Sequence, residues 1–345
     1  MKKYRQDFAV AALIIFIFPV LITFAVGKIN VNKKEVQVSS GKIIEADYGN
    51  YIAEMDMEDF ISCVLMAQMP IDSPKELLKA QTVVIRTYIL GKMGDSKKIS
   101  SNELGLPFVG YESLAERWFI DYRIEHSRSA GGIFGNLTGI GKSRIFEQNI
   151  EYLHMIQSRT QNKVLKYKGN LIIPLFHEIS AGSTRDGDEL AGKQYEYLKS
   201  VKCSTDSEKK DFIGIKYFTI EQFKKKLADN DIVIYKEGRE LFSQGEIDLT
   251  DFVKMIDCSQ KDKKGYVVFV KIADTKIPAE KFADSFGLAS TYMSMQAYEK
   301  GIRITTRGKG HGFGMSLSYA GYLAQNGMEW QDILKKFYDA VISDC

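Results

Sequence analysis

The chain has 345 residues, 45% of them hydrophobic and 26% charged, with a formal net charge of +3. This is a globular composition, long enough for one large domain or two small ones. The weak positive balance, without any long Lys/Arg run, excludes the strong basic footprint of a nucleic-acid binder.

Lys2, Lys3 and Arg5 precede an apolar run from Phe8 to Gly27 whose only polar side chain is Thr23. About 20 apolar residues match a membrane-spanning helix. The basic flank predicts a cytoplasmic tail over 1–7 and an extracytoplasmic remainder. A cleaved signal peptide is the rival reading, but the run is long for one and Ala25-Val26-Gly27 is a poor cleavage site. The expectation is a single-pass anchor in the cell membrane over 8–27, a polar linker over 28–48 and an extracytoplasmic domain over 49–345.

Two helices open that domain. Asp56 is placed to cap the first, which carries acidic residues in its first turn and an apolar face of Phe60, Val64 and Ala67. Pro70 stops it, because a proline pushes the preceding residue out of the helical region. Ser73-Pro74-Lys75-Glu76 reads as a capping box that opens the second. There Leu77, Ala80, Gln81, Val84 and Tyr88 share one face, and Gly91 is expected at its end. Gln68 sits at the turn between the helices, where a polar side chain can enter a cleft.

From about 96 to 157 the sequence reads as an irregular, glycine-rich lobe. Its run Gly135 to Ser143 fails as a phosphate loop by one residue of spacing. Order returns at Val164–Phe176, where two strand-like runs flank a Gly-Asn turn and predict a hairpin. His177-Glu178-Ile179-Ser180-Ala181-Gly182-Ser183-Thr184 follows, then an acidic loop of Asp186, Asp188 and Glu189 and a strand over 197–201. Thr219 and Gln222 form a second capping box, with Phe223 and Leu227 facing inward. A strand is expected over 265–272, a helix over 278–288, extended segments over 290–295 and 301–306, and helices over 318–326 and 330–341.

Gly308-Lys309-Gly310-His311-Gly312-Phe313-Gly314-Met315-Ser316 has four glycines at alternate positions. These allow tight turns and close approach to a ligand, but the dinucleotide spacing is absent. His311 in such a turn reads as a site residue, whereas His177, at the end of an apolar strand, serves equally well as a core histidine. Cys63, Cys203, Cys258 and Cys345 show neither metal spacing nor a disulfide framework, although a Cys203–Cys258 bridge stays open.

The second opening helix, with Glu76, Leu78, Lys79, Ala80, Gln81, Arg86, Thr87 and Tyr88, resembles the signature of the stage II sporulation protein D and amidase-enhancer family. The segments His177–Thr184 and His311–Ser316 are similar to that family's second and third signatures, in the same order. The resemblance covers about 55–88 and 165–341. It implies an α+β fold, a mixed sheet with helices packed around a long substrate cleft. It also implies a lytic transglycosylase that cuts peptide-free peptidoglycan glycan strands during engulfment in sporulation. The family's catalytic glutamate is replaced by Gln68, and its usual Gln after the third signature by Leu317. An amide cannot deliver a proton as a carboxyl does. Glu178 is therefore the candidate substitute acid, and a non-catalytic glycan-binding module or amidase enhancer is the alternative. Lys79, Gln81, Arg86, Tyr88, His177, Ser180, Thr184, His311 and Ser316 are the implied substrate contacts. The implied partners are glycan strands and the amidase and membrane proteins of the engulfment machinery. Some family members hold zinc near the second signature. The 180–190 loop here has no cysteine, and zinc needs at least three protein ligands, so neither metal nor cofactor is expected.

Overall fold

The computed structural model describes residues 40–127, 139–189, 193–244 and 247–345. Strand β1 (Ile43–Asp47) pairs antiparallel with β2 (Ile52–Asp56) and parallel with β3 (Lys98–Ser100). β1 lies within the stretch expected to be a linker. Its alternating burial, with Ile44 and Ala46 inside, fits it as the central strand of this sheet.

Helix α1 (Met57–Gln68) is capped by the Asp56 carboxylate, which accepts the Glu58 N–H. Helix α2 (Lys75–Met93) starts after Pro74 with no side-chain cap and runs through Gly91 to Gly94. Glu76 does not close the expected box. It pairs with Lys79 at 2.6 Å and accepts the Trp330 N–H at 3.2 Å, so it caps a helix far along the chain.

The stretch read as irregular is largely helical in its described parts: a short capped α3 (Ser101–Leu104), then α4 (Tyr111–Ser127) and α5 (Gly139–Ser158) packed together. Leu114, Trp118, Leu153 and Ile156 bury their side chains between these helices and α1 and α2. The tested phosphate-loop run lies partly outside the described residues.

Strand β4 (Lys163–Tyr167) turns through Lys168 and Gly169, both at positive φ, into a short β5 (Asn170–Leu171). β6 (Phe176–His177) follows. The chain then enters β7 (Ile213–Thr219), α6 (Ile220–Ala228), the small hairpin of β8 (Tyr235–Lys236) and β9 (Arg239–Glu240), and α7 (Leu249–Lys254). Next come β10 (Ile256–Asp257), β11 (Phe269–Ile272), β12 (Thr275–Pro278), α8 (Ala279–Phe286), β13 (Met293–Tyr298) and β14 (Gly301–Arg307). β15 (Met315–Ser316), α9 (Leu317–Gln325), α10 (Trp330–Phe337) and β16 (Val341–Asp344) complete it. The closing helix stops at Phe337, not at Val341. Tyr338 is extended and β16 pairs with β4.

The expected single mixed sheet is divided into several small ones, in the orders β2-β1-β3, β16-β4-β5, β15-β6, β10-β11-β12, β13-β14-β7 and β8-β9. Two hydrophobic cores organise them. One is built from residues before 204 and after 312 and is centred on α1, α2 and α10. The other holds Phe218, Phe223, Phe252, Phe282, Phe286, Ile302 and Ile304, all from the intervening segment. The second lobe is thus inserted into the first. Arg185 joins them, with Nε 2.6 Å from the Asp262 carboxylate and both side chains almost fully buried.

The expected membrane helix over 8–27 and tail over 1–7 lie outside the described residues. Among the described residues no helix is long and apolar enough to cross a membrane. The single-pass anchor, and the membrane localisation drawn from it, are therefore not supported.

Candidate functional site

Gln68 ends α1 just before Met69, which adopts an extended conformation at the helix C-cap. Its Oε1 accepts a hydrogen bond of 2.6 Å from Nε2 of Gln81, one and a half turns into α2. Gln81 is fully buried, and its own Oε1 has no partner. The position is therefore an amide pair with one free acceptor, a feature that native interiors rarely leave without a ligand or water.

The other expected contacts of α2 turn inward. Arg86 is 1% exposed, forms a two-pronged ion pair with Glu58 at 2.7 Å on both arms and donates to the Thr160 carbonyl. Tyr88 donates to the Leu104 carbonyl, and Lys79 is held by Glu76. Arg86 and Tyr88 hold α1, α3 and the entry to β4 against α2, whereas Lys79 pairs within its own helix.

The second and third signatures meet at the parallel pair of β6 and β15. His177 Nδ1 lies 3.0 Å from the Phe313 carbonyl, so that nitrogen carries the proton and donates. The N–H of Phe313 donates to His311 Nδ1, also at 3.0 Å. The backbone N–H and C=O of one residue, Phe313, thus fix opposite tautomers on two imidazoles whose rings are 5.9 Å apart. His177 Nε2 is buried without a partner. Burial, with His311 nearby, lowers the His177 pKa to about 3. Burial, with the Arg185 charge, lowers that of His311 to about 4. Both rings are neutral at physiological pH.

The four glycines of this turn have φ of 73°, 106°, 81° and 69°. Sequence reading assigns them to a ligand approach, yet the close approach is to the protein itself. A Cβ on Gly314 would sit 1.8 Å from the Leu175 carbonyl oxygen, and one on Gly310 would sit 2.7 Å from Cβ of His177.

Ser180 and Ser316 converge on Asp206. Its Oδ2 accepts the Ser180 N–H at 2.8 Å and the Ser316 hydroxyl at 2.7 Å, and its Oδ1 is buried and unpartnered. Nothing in the sequence around Asp206 marks it, because its partners arrive from segments 26 and 110 residues away. Thr184 is structural: its hydroxyl accepts the Val201 N–H. Glu178 is exposed and ion-paired with Lys309 at 2.7 Å. All four cysteines are free, and burial pushes the Cys203 thiol up to about 12 and the Cys258 thiol to about 11.

Beside the Asp206 network lies a concavity of about 530 Å³ lined by Ser200, Val201, Lys202, Ser204, Tyr319 and Lys336. Tyr319 is placed by its N–H, which donates to the Ser316 hydroxyl, and its ring stacks on Tyr322 at 5.8 Å. Sequence reading missed Tyr319 and Lys336, which belong to α9 and α10. Both helices pack on α2, the element that carries Gln81. The hollow offers an aromatic face, three hydroxyls and two ammonium groups. Among the described residues no group of three or more His, Cys, Asp or Glu side chains is gathered as a metal ion requires.

A family model described as Stage II sporulation protein matches residues 46–125, which include Gln68 and Gln81. The chain is 24% identical over 298 residues to stage II sporulation protein D of Bacillus amyloliquefaciens, covering 84% of this chain and 74% of that protein. It is 24% identical over 296 residues to stage II sporulation protein D of Bacillus subtilis (strain 168), covering 83% and 74%. An uncharacterized protein of Brachyspira hyodysenteriae is 26% identical over 293 residues, covering 84% of this chain and 67% of that one. With the opening signature matched by the family model, and the likeness to both Bacillus proteins extending over most of the chain, the chain is similar to the stage II sporulation protein D family.

Proposed function

We propose that this protein acts in sporulation by gripping peptidoglycan glycan strands stripped of their peptides, with the proton-donating position of its family silenced. The observation that carries this reading is the Gln68–Gln81 amide pair. An amide can hold a sugar oxygen through a hydrogen bond, but it cannot deliver the proton that cleavage of a glycosidic bond requires. Loss of a general acid costs roughly 10²–10⁴ in rate.

The hollow at Tyr319 supports the substrate class. The Tyr319 ring suits the apolar face of a sugar, and hydroxyls suit its polar rim. Removing the peptide from a muramyl residue uncovers a carboxylate, which Lys202 and Lys336 can meet. Glu178 is a weak substitute acid. It is exposed, held by Lys309, and joined to Gln68 by no hydrogen bond among the described residues. The amidase and membrane proteins of the engulfment machinery belong to this reading as partners.

Peptide-free glycan strands incubated with the chain and with Gln68→Glu, and followed by mass spectrometry, test it. The expected result is binding without anhydro-sugar products for the chain itself and products from Gln68→Glu. Anhydro products from the unaltered chain would overturn the silenced-acid reading. Loss of all strand binding would overturn the glycan reading as a whole.

A further inference from the structure

The sheet β13-β14-β7 packs one face on the second core, into which Ile302 and Ile304 of β14 and Phe218 of β7 point. Side chains alternate along a strand, so Arg303, Thr305 and Arg307 of β14 stand on the opposite face. There Arg303 lies between Gln296 of β13 and Tyr217 of β7. The charge of these strands has one sign. None of the three contains an aspartate or glutamate, whereas they carry Lys216, Arg303 and Arg307. Among the described residues neither arginine forms an ion pair. Each is held against a tyrosine instead. The Arg303 guanidinium lies 4.5 Å from the ring centre of Tyr298 and also donates to the Gln296 amide oxygen, and that of Arg307 lies 5.9 Å from the ring centre of Tyr292. Tyr217 leans across the neighbouring strand, where a Cβ on Gly301 would come within 2.9 Å of its ring. Tyr217 and Tyr298 remain 41% and 42% exposed.

The two arginine–tyrosine stacks are set apart. Tyr292 and Tyr298 are six positions from each other, about 20 Å along an extended chain. Ser294, Gln296 and Thr305, between the stacks, are polar and uncharged. A single carboxylate or phosphate cannot span both guanidiniums. A polymer that repeats an anion at intervals, with neutral polar units between, can.

We infer that this face is a second binding surface for the peptide-stripped glycan strand. Arg303 and Arg307 each receive the carboxylate of a muramyl residue, and the exposed tyrosines lie against its sugar rings. A stripped strand has the matching pattern, since a sugar bearing a carboxylate alternates with a neutral one. Arginine presents paired N–H donors that fit a carboxylate, and tyrosine offers a sugar both an apolar face and a hydroxyl. The identity of this ligand rests on the stripped-glycan reading of the first lobe. A strand that engages both lobes gains avidity from the second contact.

Isothermal titration of peptide-free glycan strands into the full chain, at several salt concentrations, tests this. Arg303→Gln/Arg307→Gln is expected to weaken binding about tenfold and to flatten its salt dependence, with an unchanged circular dichroism spectrum. Strands whose carboxylates are capped as methylamides are the second probe. They are expected to bind the unaltered chain more weakly than native strands do, and to show no further loss with the double variant. Native strands that bind both proteins equally would overturn the second surface while leaving the first-lobe reading in place. A loss of equal size with capped strands would also overturn it, since the arginines would then act on something other than a carboxylate. Binding of no strand by the unaltered chain would overturn the first-lobe reading and this one together.

Discussion

His177 and His311 share the backbone of Phe313, one through its C=O and the other through its N–H, and burial holds both in the neutral form. An unfolded histidine binds its proton near the ordinary value of 6.5, whereas these bind theirs only at about 3 and about 4. Below that ordinary value the unfolded chain takes up protons that the folded chain refuses, so stability falls with falling pH. The contribution is complete above about 6.5 and is lost progressively towards about 4 for His311 and about 3 for His177. Thermal unfolding across this window should show a midpoint that drops with acidity. His177→Asn keeps a donor for the Phe313 carbonyl but cannot titrate, and it should flatten the slope. An unchanged slope would mean that His177 does not contribute. The identity of these histidines as a pair was legible in the sequence, since each stands in a signature. That one residue's backbone would set both tautomers was not, because 136 residues separate His177 from Phe313.

At the scale of elements, the glycine turn before β15 shows how a pattern can be read correctly and its purpose missed. Alternate glycines do announce left-handed backbone and close approach, but not what is approached. Gly314 has φ 69° and faces the Leu175 carbonyl, so Gly314→Ala adds both backbone strain and a collision. Strain of this kind costs about 1–3 kcal/mol and overpacking about 1–3 more. A loss of at least about 2 kcal/mol in urea unfolding is expected; a loss within 0.5 kcal/mol, roughly that of a neutral surface change, would sink the assignment. The opening helices teach the converse. Asp56 caps α1 as its local sequence says, whereas Glu76, placed to cap its own helix, caps α10. A capping box is a local rule, and tertiary packing offered Glu76 a second partner.

At the scale of the whole molecule, the two lobes are tied through Arg185. Its guanidinium bonds Asp262 and the His311 carbonyl and lies over the rings of Phe313 and Tyr266. Removing one partner of a buried ion pair costs about 3–5 kcal/mol, since the other charge is left uncompensated. Arg185→Met should lose that much in denaturant unfolding. Adding Asp262→Asn should restore part of it, because the orphaned charge is then removed. Additive losses would mean that the two side chains act independently.

Local chemistry decided much by itself: the helix caps at Asp56 and Thr219, the hairpin through Gly169, the inward stripe of α10 and the three signatures that carry the resemblance to the family. Each depends on residues within a few positions of one another, where backbone sterics and periodicity act directly. Only the tertiary structure showed that Arg86 is an internal brace, that Gln68 is held by Gln81, that Asp206 joins two signatures and that Tyr319 and Lys336 line one hollow. Those contacts join residues that packing alone brings together, and burial then sets their charge states. The division of the sheet followed from the same cause, since the insertion of a second core between two halves of the first cannot be read from hydrophobic periodicity.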